Sequence, residues 1–117
     1  MAHIDVPLET DIGFSDAELL SYHRDDREVI VNVQLWNGKK ALLTFSDAIV
    51  LFDFGTWSIS DLVERHDSED DFLFKAALSR EFEIIPNDHG FHKWMFLDLE
   101  SQPCFTVIAK KISIKYE

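Results

Sequence analysis

An Asn37-Gly38 pair between two β-rich runs is the feature that most constrains what this chain can fold into. Residues 28–36 before it read EVIVNVQLW, and residues 39–45 after it read KKALLTF. Asn and Gly tolerate the positive φ that a type I′ turn requires, and this turn matches the natural twist of paired strands. A two-residue turn places Trp36 opposite Lys39. The sequence therefore predicts an antiparallel hairpin at the centre of the fold.

Further strands are predicted on the C-terminal side of this hairpin. Residues 48–54 are nearly all apolar, which indicates a more buried strand or a packed connection. Residues 92–99 and 104–116 predict a second hairpin, with residues 100–103 as its loop. Apolar and polar side chains alternate through residues 111–116, a pattern typical of a half-exposed antiparallel strand.

One amphipathic helix is predicted from about Glu69 to Glu81. Ser68 is a suitable N-cap, and the acidic residues after it suit the positive end of the helix dipole. Apolar side chains then recur at helical spacing and form one face, which consists of Phe74, Ala77, Leu78 and Phe82.

These elements together predict an α+β fold. We expect a mainly antiparallel, twisted sheet of about six or seven strands, with one helix packed on part of one face. The length of 117 residues indicates a single domain over residues 1–117. Residues 1–13 show little periodicity and are expected to form an extended N-terminal arm.

The charge balance bears on the kind of partner. The chain has 11 Lys and Arg against 22 Asp and Glu, so its formal net charge is −11. Such a field repels nucleic-acid phosphates and anionic membrane surfaces, and it attracts cationic partners. No apolar run approaches the roughly 20 residues that span a bilayer, and the N-terminus lacks a signal-peptide pattern. We therefore expect a cytoplasmic protein that binds a basic protein, and neither nucleic acid nor membrane.

Metal binding is a weak candidate in this sequence. His89 and His92 have H-x-x-H spacing, but they flank a turn at Gly90. A structural zinc site needs four ligands, and Cys104 is the only thiol. The acidic run at residues 67–71 lacks the alternating ligands and the turn glycine of a calcium loop. We therefore expect no metal and no other cofactor, and we expect Cys104 to be buried in an apolar strand.

Patterns for catalysis are also missing from the sequence. It contains neither a G-x-S-x-G elbow nor a G-x-x-x-x-G-K-[ST] phosphate loop. The carboxylates of Asp25 and Asp26 fall in a turn, where solvent keeps both ionised, whereas general acid–base chemistry needs one of them desolvated. The prediction is a protein that is not an enzyme and has no catalytic residues.

The candidate partner-binding residues are acidic, with one aromatic anchor. Trp57 follows Gly55 at the end of an element and is expected to be exposed, and Trp is common at interface hot spots. Trp94 lies in an alternating strand and is expected in the core. The residues predicted to bind a partner are Asp16, Glu18, Trp57, Asp67, Glu69, Asp70 and Asp71.

Two segments carry a resemblance to known proteins. Residues 14–21 read FSDAELLS and precede a charged turn and a Val-rich strand, and residues 43–48 read LTFSDA. Over residues 14–54 the chain resembles a set of small bacterial β-rich proteins, some of which are immunity proteins of polymorphic toxin systems. The resemblance implies kinship of fold, and no functional residue is carried over from it.

Three functional interpretations follow. The first is a non-enzymatic binding protein, an acidic immunity-type inhibitor that occludes a basic toxin domain by charge steering and burial of an aromatic anchor. The alternative is a structural or assembly protein that forms homo-oligomers through a strand edge or the half-polar sheet face. A small enzyme of unknown class is the third.

Overall fold

The computed structural model describes residues 6–7, 14, 16–55, 58–65, 71–86 and 88–116. In this part of the chain there are two five-stranded antiparallel sheets and one helix. Sheet A has the strand order β1-β7-β8-β9-β5, and sheet B has the order β10-β4-β3-β2-β6. The strands are β1 (Val6–Pro7), β2 (Ala17–Asp25), β3 (Glu28–Gln34), β4 (Lys40–Ser46), β5 (Val50–Asp53), β6 (Ser58–Ile59), β7 (Asp61–Arg65), β8 (His92–Leu97), β9 (Pro103–Ala109) and β10 (Lys111–Tyr116). The helix, α1, spans Phe72–Glu81.

The α+β class, the antiparallel pairing and the single helix are confirmed. The arrangement differs from the expected single sheet of six or seven strands, because the strands divide between two sheets. The inner faces of the two sheets meet in one core; for example, the rings of Phe45 in sheet B and Trp94 in sheet A lie 5.5 Å apart. Trp94 is buried, as predicted.

The central hairpin joins β3 to β4 through three residues, not two. The backbone N–H of Leu35 donates to Lys39 O at 2.7 Å, and the N–H of Gly38 donates to Leu35 O at 2.9 Å. Of the turn residues, Gly38 has positive φ (83°), whereas a type I′ turn needs two such residues. The prediction that Trp36 lies opposite Lys39 is therefore wrong by one residue.

The register decides which side chains of the hairpin enter the core. Val31 lies opposite Leu43, and Val29 lies opposite Phe45. Because strand side chains alternate between faces, a shift of one residue would exchange the two faces. The inward side chains of β3 and β4 are fully buried, whereas Ile30, Asn32 and Gln34 lie half-buried on the outer face of sheet B. That outer face is half-polar, as the sequence indicated.

A bent two-stranded ribbon links the sheets. In sheet B, β4 pairs with β10; in sheet A, the continuation of β4 into β5 pairs with β9. At the corner, Lys110 N–H donates to Ser46 O at 3.0 Å, and Ile49 N–H donates to Ile108 O at 2.8 Å. The predicted single strand 104–116 is therefore two strands that turn at Lys110. The run 48–54 supplies β5, a partly exposed edge strand and not a more buried one.

Helix α1 covers part of the outer face of sheet A. Its N-cap is Asp71, whose extended backbone precedes Phe72, so the helix begins three residues later than predicted. The buried helix side chains Phe74, Ala77 and Leu78 pack with Ile108 and Phe91 in a second apolar cluster. The predicted amphipathic face is therefore the packed face.

Candidate partner-binding surfaces

Asp71 is one of the residues predicted to bind a partner, and its carboxylate faces inward. The residue is only 6% exposed. Its Oδ1 accepts from the Phe74 N–H at 3.0 Å, and its Oδ2 accepts from Arg65 Nη1 at 2.7 Å and from Lys93 Nζ at 2.8 Å. This carboxylate joins the helix to β7 and β8, so it is not available to dock a partner.

The surroundings of Asp71 hold it in the ionised form. Burial by itself raises the pKa of a carboxyl group. Hydrogen bonds from Lys93, the Phe74 backbone and Arg65, together with the charge of Lys93, outweigh burial and lower the pKa of Asp71 to about 2. The carboxylate of Asp71 therefore stays ionised and forms structural ion pairs with Lys93 and Arg65.

The other predicted residues are not brought together by the described structure. Asp16 is exposed in the turn before β2, and Glu18 is exposed on β2 opposite Gln34 in sheet B. Asp71 caps a helix that packs on sheet A. The remaining predicted residues lie outside the described residues: Trp57, Asp67, Glu69 and Asp70.

Four exposed carboxylates meet at one end of sheet B, and we call this set the acidic end: Asp25, Asp26, Glu28 and Asp47. They line an open depression of about 370 Å³, together with Arg27 and Ser46. Arg27 Nη2 lies 3.3 Å from Glu81 Oε2, so the charge of Arg27 is already paired with a carboxylate outside this set. The depression therefore presents a surplus of negative charge.

The fold assembles the acidic end from two turns that are distant in sequence. Asp26 and Asp47 both have positive φ, 53° and 55°, a conformation that Asp tolerates better than most residues. The Ala48 N–H donates to Arg27 O at 2.6 Å and fastens the second turn to the first. Sequence reasoning placed the pair 25–26 in a turn but missed Asp47. The strand register places Glu28 opposite Ser46, and knowledge of that register would have placed Asp47 beside the first turn.

An aromatic edge lies on strand β5, at the border of sheet A. We define it as Phe52 and Phe54, which are 40% and 65% exposed. Their rings stack with centroids 6.1 Å apart and planes inclined by 16°. Between them in sequence, Asp53 accepts a hydrogen bond from the Tyr22 hydroxyl of sheet B. Partial burial, and then that hydrogen bond and the charge of Asp53, raise the pKa of Tyr22.

A short path through Tyr22 and Asp53 joins the acidic end to the strand that carries the aromatic edge. Tyr22 precedes Asp25 by three residues on β2, which corresponds to roughly 10 Å along a strand. Through Asp53, Tyr22 reaches strand β5 and the aromatic edge. A partner of ordinary interface size can therefore contact both.

The opposite end of sheet B carries lysines, and we call this set the basic end: Trp36, Lys39, Lys40 and Lys115. All four are exposed, and Trp36 is 65% exposed. A shallow groove of about 300 Å³ lies beside the turn, lined by Asn32, Lys40, Ala41, Leu42, Lys115 and Tyr116. In a chain with net charge −11, this is a local reversal of sign.

Cys104, His89 and His92 each lie against neighbouring groups of the fold. Cys104 is buried, as predicted, and its Sγ lies 3.3 Å from Phe96 O. Burial, and then the charge of Asp98, raise the pKa of Cys104 to about 11. His92 Nδ1 lies 2.8 Å from Glu64 Oε1, and His89 Nδ1 accepts from the Phe91 N–H at 3.0 Å.

The described residues offer neither a metal-binding cluster nor a membrane-spanning helix. Within the ranges that the structure describes, no three His, Cys, Asp or Glu residues are grouped so as to hold a metal ion. The helix in that same part of the chain is not long and apolar enough to cross a membrane. Comparison of the chain with protein-family models, with curated proteins and with solved structures finds no match.

Proposed function

We propose that this chain is a non-enzymatic binding protein that recognises a basic protein domain through its acidic end and aromatic edge. The observation that supports this most strongly is the convergence of four exposed carboxylates on one depression. An exposed aromatic pair is available on the β5 edge of sheet A. An immunity-type inhibitor of a basic toxin domain is the form of this function that the sequence resemblance favours.

Charge brings the partner to the acidic end. A net charge of −11 draws in a cationic surface over long distances, and complementary charge accelerates encounter far more than it strengthens the final complex. Asp25, Asp26 and Asp47 are exposed, so they remain hydrated until the partner arrives. They therefore act mainly on the association rate.

The aromatic edge holds the docked partner. Phe52 and Phe54 already stack on each other, so little side-chain freedom is left to lose when a partner covers them. Buried aromatic side chains are the usual source of binding energy at the centre of an interface. Their contribution is expected in the dissociation rate.

The test uses the purified product of the gene next to this one, with association measured across ionic strength. We expect the association rate to fall at least about tenfold between about 0.05 M and about 0.3 M NaCl. The variant D25N/D26N/E28Q should lower the association rate, and F52A/F54A should raise the dissociation rate.

The matched control is E83Q/D88N/E100Q, which removes three exposed carboxylates elsewhere on the surface. It changes the net charge by the same amount, so a specific acidic end predicts a smaller effect from the control. The proposal would be contradicted if both triple variants lowered the association rate equally, or if the association rate did not change with salt concentration.

A further inference from the structure

Sheet B carries opposite charges at its two ends. Glu28 and Ser46 lie opposite each other at the acidic end, whereas Gln34 and Lys40 lie opposite each other at the basic end. The intervening strands β3 and β4 are seven residues long, so the ends are roughly 20 Å apart. Each copy of the chain therefore presents an anionic and a cationic surface in opposite directions.

The separation of the ends matters more than the net charge once salt is present. The Debye length is about 8 Å at physiological ionic strength. A group docked at the basic end is therefore influenced mainly by Lys39, Lys40 and Lys115, and only weakly by the carboxylates at the far end. The nearest carboxylate defined by strand pairing is Glu18, which lies two strands from Lys40 across Gln34.

The two ends also differ in shape. The acidic end includes the turn between β2 and β3, with Asp25 and Asp26 exposed at its tip. The basic end contains the groove of about 300 Å³, where Leu42 offers apolar surface between Lys40 and Lys115. Exposed Trp36 stands in the adjoining turn. The carboxylates of the acidic end and the lysines that line the groove are complementary in the sign of their charge.

The geometry points to head-to-tail association, in which the basic end of one copy docks the acidic end of a second copy. The occupant is a second copy because every copy offers a surface of opposite charge. Cations also lie near the acidic end: Arg24 and Arg27 flank Asp25 and Asp26, Arg27 is paired with Glu81, and Lys110 and Lys111 lie beside Ser46. The two surfaces are different, so the contact is heterologous and leaves one free end of each kind. Association therefore continues beyond two copies, as an open chain or, where the rotation between copies closes, as a ring.

This contact shares the acidic end with the proposed function. A basic partner and the basic end of a second copy compete for the same carboxylates, so partner binding disassembles the chains of copies. The variant K40Q/K115Q changes only the basic end and leaves the acidic end intact. Loss of self-association in that variant is therefore distinguishable from loss of partner binding.

The experiment is sedimentation velocity on the full chain and on two neutralised variants. The unchanged protein at about 1 mM should show an average mass above 13.6 kDa in physiological salt, and should return to 13.6 kDa in about 1 M NaCl, where the Debye length is about 3 Å. K40Q/K115Q and D25N/D26N should each weaken association at least about tenfold. An equimolar mixture retains one intact acidic end and one intact basic end, so it should form a heterodimer of twice 13.6 kDa and nothing larger.

Controls of matched charge are available on α1 and in exposed loops. K75Q/R80Q and E83Q/E100Q change exposed residues outside both ends, and they should self-associate like the unchanged protein. Circular dichroism verifies that each variant is folded. A monomeric unchanged protein at about 1 mM, or a mixture of the two neutralised variants that stays monomeric, overturns the proposal.

Discussion

Lys93 Nζ lies 2.8 Å from Asp71 Oδ2, and this contact attaches strand β8 to the N-cap of the helix. Both side chains are almost fully enclosed, and Arg65 from β7 reaches the same oxygen at 2.7 Å. One carboxylate therefore neutralises two cations and also caps the helix. The contact between sheet A and α1 therefore combines one shared carboxylate with the apolar cluster around Phe74 and Ile108.

Replacing Asp71 with Asn should destabilise the protein by about 3 kcal/mol. The change keeps the shape of the side chain but removes the negative charge that pairs with Lys93 and Arg65, and removing one partner of a buried ion pair is strongly unfavourable. Urea denaturation of both proteins measures the difference. The exposed Asp88→Asn serves as the control and should change the free energy of unfolding by less than about 0.5 kcal/mol.

Acid should weaken the fold through the same carboxylate. The pKa of Asp71 is about 2 in the folded protein against an ordinary value of 3.8, so its ionised form stabilises the fold. That contribution, about 2 kcal/mol, is complete above about pH 4 and is lost as the pH falls through about 2. Urea denaturation at several pH values should show the gap between unchanged protein and Asp71→Asn closing over this window. A gap that is independent of pH would contradict the assignment.

Gly38→Ala should destabilise the central hairpin by about 1 kcal/mol, whereas Gly38→Asn should cost less. Gly38 has φ of 83°, and an added Cβ would meet no atom within 4 Å, so the cost is backbone strain and not a clash. Asn tolerates the left-handed region better than Ala does. Thermal denaturation of the two variants provides the measurement, and equal melting temperatures for Ala and Asn would exclude strain as the cause.

Cys104 should react with thiol reagents only when the protein opens. Burial raises the pKa of its thiol to about 11, so at pH 8 very little reactive thiolate is present. In urea the thiol should react at the rate of an unstructured cysteine. Labelling pulses at increasing urea concentration should therefore follow the unfolding transition, and rapid labelling of the native protein would contradict this prediction.

The spacing of apolar residues along the sequence predicted which side chains of the helix and of strand β10 are buried. The spacing of Phe74, Ala77 and Leu78 predicted the packed face of the helix, and the alternation along β10 predicted its half-buried side chains. The register of the central hairpin could not be read in the same way. It depends on whether the turn has two or three residues, and Asn37-Gly38 is compatible with both.

Long-range pairing explains the other differences. The ribbon passes between sheets at Lys110, where the apolar run 104–109 gives way to the alternating run 111–116, but that change of pattern does not by itself establish a corner. Asp71 belongs to an acidic run that reads as solvated surface, yet Lys93, 22 residues later, encloses it. The acidic end depends on the neighbouring positions of residues 25–28 and Asp47, which only the strand register establishes.

The bent ribbon of β4–β5 and β9–β10 has a mechanical consequence. The segments β4–β5 and β9–β10 each run from one sheet into the other, so neither sheet can detach without breaking the pairing at the corner. Amide protons deep in both layers should consequently exchange with solvent at the same slow rate, through opening of the whole molecule. The pairing at Ser46 and Lys110 thus couples the two sheets, so that we expect them to unfold together in one cooperative step.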